Sequence, residues 1–201
     1  MQADVIDTLA GIAPGSPLDS IRRTRRPTAR EQAQKSYASL FTPADYGGFG
    51  PLERFAVAVF VAGLHGQSAI RAFYAEKLRS SAATDATRAA IDAEIAAAAT
   101  KGPYGAFPAG PLSKEDMAGP VHRVAAAHHE ALGPRLVAAF EHVHMLVFHP
   151  RDAAAPSLQS LLDAGWTTTE VVTLSQLVAF LSFQIRVVTG LRVLAANPRP
   201  A

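Results

Sequence analysis

The chain has 201 residues, is 49% hydrophobic and only 18% charged, carries a formal charge of +2 and contains no cysteine. A chain of this length can bury roughly 70% of its unfolded surface, and so little charge leaves apolar surface to be covered between subunits, so a homo-oligomer is expected. Without cysteine, disulfides, thiolate metal sites and thiol nucleophiles are excluded.

Met1 to Ala13 carries Asp4 and Asp7 and lacks a basic start followed by an apolar run, so it does not read as a secretory signal, and a cytoplasmic protein is the expectation. Ser16-Pro17 and Pro27 are helix-start signals, the second ahead of Thr28 to Leu40, and they predict two short helices in an N-terminal extension over 1–41. Arg22, Arg23, Arg25, Arg26 and Arg30 crowd this extension with no acid among them. No flanking aromatic, zinc pattern or base-reading motif accompanies them, so a solvated or salt-bridged face is expected and nucleic acid is not.

A helical domain is expected over 42–201. The loop Tyr46 to Gly50 hands over to a helix opened by Pro51, with Glu53 in its first turn, where the helix dipole favours a carboxylate. Its apolar run, Phe55 to Leu64, is about half of what crosses a bilayer. After His65-Gly66, the spacing of Ile70, Phe73, Tyr74 and Leu78 predicts a second helix over Gln67 to Ser80. An alanine-rich helix is expected over Thr84 to Ala99.

Lys101 to Pro120 is so dense in Gly and Pro that only a loop tolerates it, with Tyr104 and Phe107 as anchors; it reads as a pocket cap, a wrap over a neighbouring subunit or a plain surface loop. Helical pattern is predicted from Val121 to Leu132, broken at Gly133-Pro134, and again from Arg135 to Phe148. A short helix over Pro156 to Ala164 precedes a long one from about Thr169 to Ala196, capped by one of Thr167 to Thr169. Its polar interruptions, Gln176, Gln184, Arg186 and Arg192, argue against a membrane span. No stretch alternates at period two, so the class is all-α.

Several side chains could carry chemistry. Glu141 and His144 form a Glu-x-x-His pair, and His144 with His149 and a carboxylate would make a mononuclear metal set, but histidines satisfied at a helix end are the stronger expectation, and no metal or other cofactor is assigned. Arg186 sits among apolar neighbours and should be paired, by Glu53, Glu141 or Glu170, or else bind an anionic ligand. Glu53, His65, Gln67 and Tyr74 are candidates to line one pocket. No serine-nucleophile elbow and no Gly-rich nucleotide loop is present.

Leu52 to Val59, followed by His65 to Tyr74, resembles the core of the carboxymuconolactone decarboxylase and alkyl hydroperoxidase D superfamily. Ala164-Gly165-Trp166, Glu170-Val171-Val172 and Ala179-Phe180 through Arg186 look like the C-terminal helix of its peroxidase-related branch. The resemblance implies an alkyl hydroperoxidase D-like helical bundle, usually oligomeric, whose peroxidases use a CxxC pair, a following histidine and an upstream glutamate. Here the glutamate looks like Glu53, the cysteine positions fall among Gly66 to Ile70, and the histidine falls near Phe73 or Tyr74. Thiol peroxidase activity is therefore not expected. The implied function is small-molecule binding in the residual cleft with non-thiol acid/base chemistry, Glu53, His65 and Tyr74 as catalytic groups and Gln67 and Arg186 as substrate-binding ones. A non-catalytic accessory or assembly protein beside a cysteine-bearing relative is the alternative.

Overall fold

A computed structural model describes residues 4–197. Nine α-helices occur among them: α1 Val5–Ala10, α2 Pro17–Arg25, α3 Pro27–Phe41, α4 Pro51–Leu64, α5 Ser68–Arg79, α6 Asp85–Ala97, α7 His129–Phe148, α8 Ala155–Asp163 and α9 Thr168–Ala196. No strand is present among the described residues, where one isolated bridge joins Gly105 to Met117. The chain is all-helical.

The start signals act as read. Ser16 accepts from Asp19 N, Pro opens α2, α3 and α4, and Thr167 and Glu170 close a reciprocal capping box at the head of α9. α1 has no counterpart among the predicted helices; it is capped by Asp4, whose side chain accepts from Asp7 N.

α4 is the central element. Ala56 to Ala62 are all buried, and α5, α6, α7 and α9 pack around them. Gly63 lets α6 approach closely: a Cβ there would stand 2.6 Å from Ile95 Cγ2. The same core takes in Val5, Ile6 and Leu9 of α1 and Tyr37 and Phe41 of α3, so the N-terminal helices are built into the bundle. Their arginines are largely paired within the chain, Arg22 and Arg30 to Asp4 and Asp7, and Arg23 to Asp19.

The predicted helix over Val121 to Leu132 forms only from a short 3-10 turn at Ala126 onward. Ahead of it the backbone runs without helix, because two carboxylates from elsewhere take its N–H groups: Val124 N donates to Glu141 Oε1 at 3.1 Å and Ala125 N to Glu94 Oε1 at 3.0 Å. Tertiary hydrogen bonds override local propensity there. The Gly133-Pro134 break is a kink inside α7, with Gly133 at φ 73°.

The Gly/Pro segment is a loop pinned to the end of α7. Tyr104 N donates to Phe148 O, Ala106 N to Asp152 Oδ1, and the Arg151 guanidinium lies over the Phe107 ring at 3.8 Å.

α9 is long and apolar enough to cross a membrane by length and composition, and half of its most apolar window is buried inside the fold. Its inner face, Val171, Leu174, Leu177, Val178, Leu181, Ile185 and Val188, packs into the bundle.

Candidate functional site

The five side chains singled out from the sequence fall in four different environments. Glu53, in the first turn of α4, accepts from Arg135 of α7 twice, at 2.7 and 3.1 Å. Arg135 also donates to Gly48 O, Gly165 O and Glu170 Oε2, and its guanidinium lies 4.2 Å from the Trp166 ring centre. Although burial opposes the charge on Glu170, the Thr167 N–H and the Arg135 guanidinium hold its carboxyl below the usual range. Glu53 is thus one arm of a clasp joining α4, α7 and α9. A shallow groove between α4 and α5, lined by Pro51, Leu52, Phe55, Lys77 and Ser80, passes beside it.

His65 caps the opposite end of α4, about 18 Å from Glu53 by helical rise. Its Nε2 lies 3.4 Å from Ser182 Oγ, and burial, then the nearby Arg186 charge, lower its pKa. Gln67 is the residue before α5, and its amide makes a long 3.5 Å contact with His65 O. Tyr74 is enclosed in the core and donates to Gln184 Oε1 at 2.6 Å; burial pushes its phenol well above the usual range.

Arg186 departs from the expected internal ion pair: it is exposed and donates to Ser182 O of its own helix. α9 is apolar on most sides, so the character of its neighbours did not reveal that Arg186 belongs to the outer face.

A different constellation stands at the other side of α7. Glu94 of α6 is 1% exposed, and its carboxylate receives Ala125 N at 3.0 Å and His128 Nδ1 at 2.5 Å through Oε1. His122 Nε2 stands 3.0 Å from Oε2, off the hydrogen-bond line. The His122 ring lies 5.3 Å from that of His144, which lies 5.7 Å from that of His149. These three rings and His142 are all buried. α7 places His142 and His144 two residues apart, on different sides of the helix, and its end at Phe148 brings His149 back beside His144.

A cleft of about 300 Å³ runs along this cluster, lined among others by His122, Glu141, His142, His149, Ser157 and Ser160. The expected satisfaction of the α7 histidines at a helix end is met only in part. Both ring nitrogens of His142, Nδ1 of His144 and Nε2 of His149 are buried without a partner that meets hydrogen-bond geometry, while His122 Nε2 faces the Glu94 carboxylate. Nδ1 of His149 is held by Asp152 at 3.2 Å.

Burial lowers the pKa of His122, His142 and His144, the last to about 4 with help from the His122 and His149 rings. These shifts favour the neutral form of all three rings at pH 7, and a neutral imidazole keeps one nitrogen that can accept a proton. The cleft's carboxylates and guanidinium sit at its rim, where Glu141 accepts from Arg123 at 2.8 Å. Among the described residues, no three His, Asp or Glu side chains are arranged to hold a metal ion, so His144 and His149 are not joined by a carboxylate in ligand geometry.

His142, His144 and His149 were visible in the sequence; Glu94, His122 and His128 were missed. The signal for Glu94 is its spacing, since Ala90, Ile91, Glu94 and Ile95 share the buried face of α6. Comparison with family models, with curated proteins and with solved structures finds no match for the chain.

Proposed function

We propose that this chain is a cysteine-free, alkyl hydroperoxidase D-like helical protein that binds a small organic molecule in the histidine-lined cleft and acts on it by acid/base chemistry without a thiol. The observation that carries this reading is that His142 and His149, which line one cleft, have buried ring nitrogens without a hydrogen-bond partner. Each unsatisfied buried polar atom costs about 1–3 kcal/mol, and a ligand with hydroxyl, amide or carbonyl groups relieves that cost. His142, which lines the cleft beside the Ser157 backbone, is the proton acceptor in this reading. His122, set against Glu94, is a second base, and Ser157 and Ser160 are donors to the ligand's oxygens.

The bundle assignment draws support from the α4–α5 helical hairpin with Glu53 at its head, and from α9 packed along it. We read the protein as a soluble, cytoplasmic homo-oligomer that binds neither nucleic acid nor membrane. The N-terminal arginines already engaged by Asp4, Asp7 and Asp19 favour that reading over an open phosphate-binding face.

One observation favours a non-catalytic accessory protein instead. Among the positions where the resemblance puts the thiol pair and the relay histidine, Gly66, Ser68 and Ala69 are exposed but Ile70 and Tyr74 are fully enclosed, and Tyr74 is spent on Gln184. Native mass spectrometry of the freshly purified protein separates the two. A bound organic mass that is lost on denaturation, and reduced at least tenfold in occupancy by His142→Leu, supports the small-molecule reading. A bare assembly that also takes up no compound from a fragment library supports the accessory one.

A further inference from the structure

The outer face of α9 carries a pattern that the subunit itself does not use. Thr169, Val172, Gln176, Ala179, Phe183, Arg186, Gly190 and Val193 are all exposed, and they recur at alternating intervals of three and four. That is the 3.5-residue period of a coiled-coil seam, running about 36 Å along the helix. Val172, Phe183 and Val193 are 52%, 45% and 57% exposed, so the apolar part of the seam faces water in the single chain.

Gly190 sharpens the point. It lies inside a helix, where glycine costs about 1 kcal/mol relative to alanine, and a Cβ built there meets nothing within 4 Å. Nothing among the described residues requires it. A glycine at such a place is explained by the close approach of another chain.

We propose that α9 is a homodimer interface, paired antiparallel with α9 of a second copy about a twofold axis between Ala179 and Phe183. This deepens the homo-oligomer reading and rests on it, while standing apart from the histidine cleft. In that register each large side chain meets a small or complementary one. Phe183 packs on Ala179 of the second copy, Val172 fills the space over Gly190, Val193 meets Thr169, and Arg186 lies beside the Gln176 amide, an acceptor for its guanidinium.

Charge selects this orientation. A parallel pair would set Arg186 against Arg186 and leave Gly190 facing Gly190 over a void, whereas the antiparallel pair holds the two guanidiniums about 15 Å apart along the axis. A lipid occupant is disfavoured by Gln176 and Arg186 in mid-seam. One helix pair covers less than the roughly 800 Å² per partner of a standard interface. Leu158 and Leu162 of α8, which abuts α9, are exposed as well and are available to extend it.

The test uses the full chain and its freedom from cysteine. Sedimentation velocity over a series reaching millimolar protein should show a dimer, and Phe183→Glu should raise its dissociation constant at least about thirtyfold without changing the monomer's circular dichroism. Under mild oxidation the double variant Thr169→Cys, Val193→Cys should crosslink to a dimer, and either single variant should not. A monomer at every concentration overturns both the interface and the homo-oligomer reading. An oligomer indifferent to Phe183→Glu, or a crosslink formed by a single variant, overturns this interface alone.

Discussion

Arg135 and Glu53 meet through two parallel hydrogen bonds, Nε to Oε1 at 2.7 Å and Nη2 to Oε2 at 3.1 Å, and so lock the middle of α7 to the head of α4. Both side chains are mostly shielded, and the same guanidinium ties down Gly48 O, Gly165 O and Glu170. Arg135→Met should therefore cost about 3 kcal/mol, because Glu53 and Glu170 are left partly buried without their cation. Glu53→Gln keeps most of Arg135's other bonds and should cost about 1–2 kcal/mol. Urea denaturation measures both; an Arg135→Met protein as stable as the parent contradicts the clasp.

Tyr74 and Gln184 test whether the enclosed ground between α5 and α9 is simply core. Tyr74→Phe removes the 2.6 Å bond and leaves Gln184, whose Nε2 already has no partner, without its remaining one. A loss of about 1–3 kcal/mol is expected, and adding Gln184→Met to Tyr74→Phe should recover most of it, since an apolar pair leaves no stranded group. A double variant as unstable as the single one rules this account out.

Gly63 marks the closest approach of α4 to α6. Gly63→Ala should cost about 1–3 kcal/mol by overpacking against Ile95, and Ile95→Ala in the same chain should be less damaging than the sum of the two changes. Thermal unfolding of the four proteins in the cycle reads the coupling; additive losses would mean that the two residues do not share this space.

Much of the fold was legible because its signals are local. Pro51, His65-Gly66 and the Thr167 capping box mark the ends of α4 and the start of α9 whatever surrounds them. The segment 121–125 was not, because its backbone partners are Glu94 and Glu141, at a sequence distance of 17 or more. The site divides the same way. Three histidines could be seen converging at the end of α7, but the carboxylate and the fourth ring come from α6 and from a non-helical segment. Arg186 was not legible as an outer-face residue because α9 is apolar almost all round, and sequence alone does not say which side faces the bundle.

His144 gives the cluster a pH signature. Its pKa is about 4 in the fold, set first by burial and then by the neighbouring His122 and His149 rings, against 6.5 unperturbed. The unfolded chain therefore takes up the proton more readily, and stability falls as pH drops from 6.5 toward 4, by at most about 3 kcal/mol from this residue. His122 and His142, also lowered by burial, add to the loss in the same direction. His144→Gln should flatten the curve of unfolding free energy in this window, and an unchanged slope would remove His144 from it.

In the proposed function, the histidine cleft binds a small molecule through neutral imidazoles. Nitrogen-15 NMR of the labelled histidines at pH 7, alone and then with a library of neutral polar fragments, addresses it most directly. Neutral His122, His142 and His144 are expected, with fragment-induced shifts confined to the rings at the cleft, His122, His142 and His149, and to the adjoining His144 among the seven histidines of the chain. Protonated His122, His142 and His144, or fragments that shift only His65, His128 or His129, would overturn this reading.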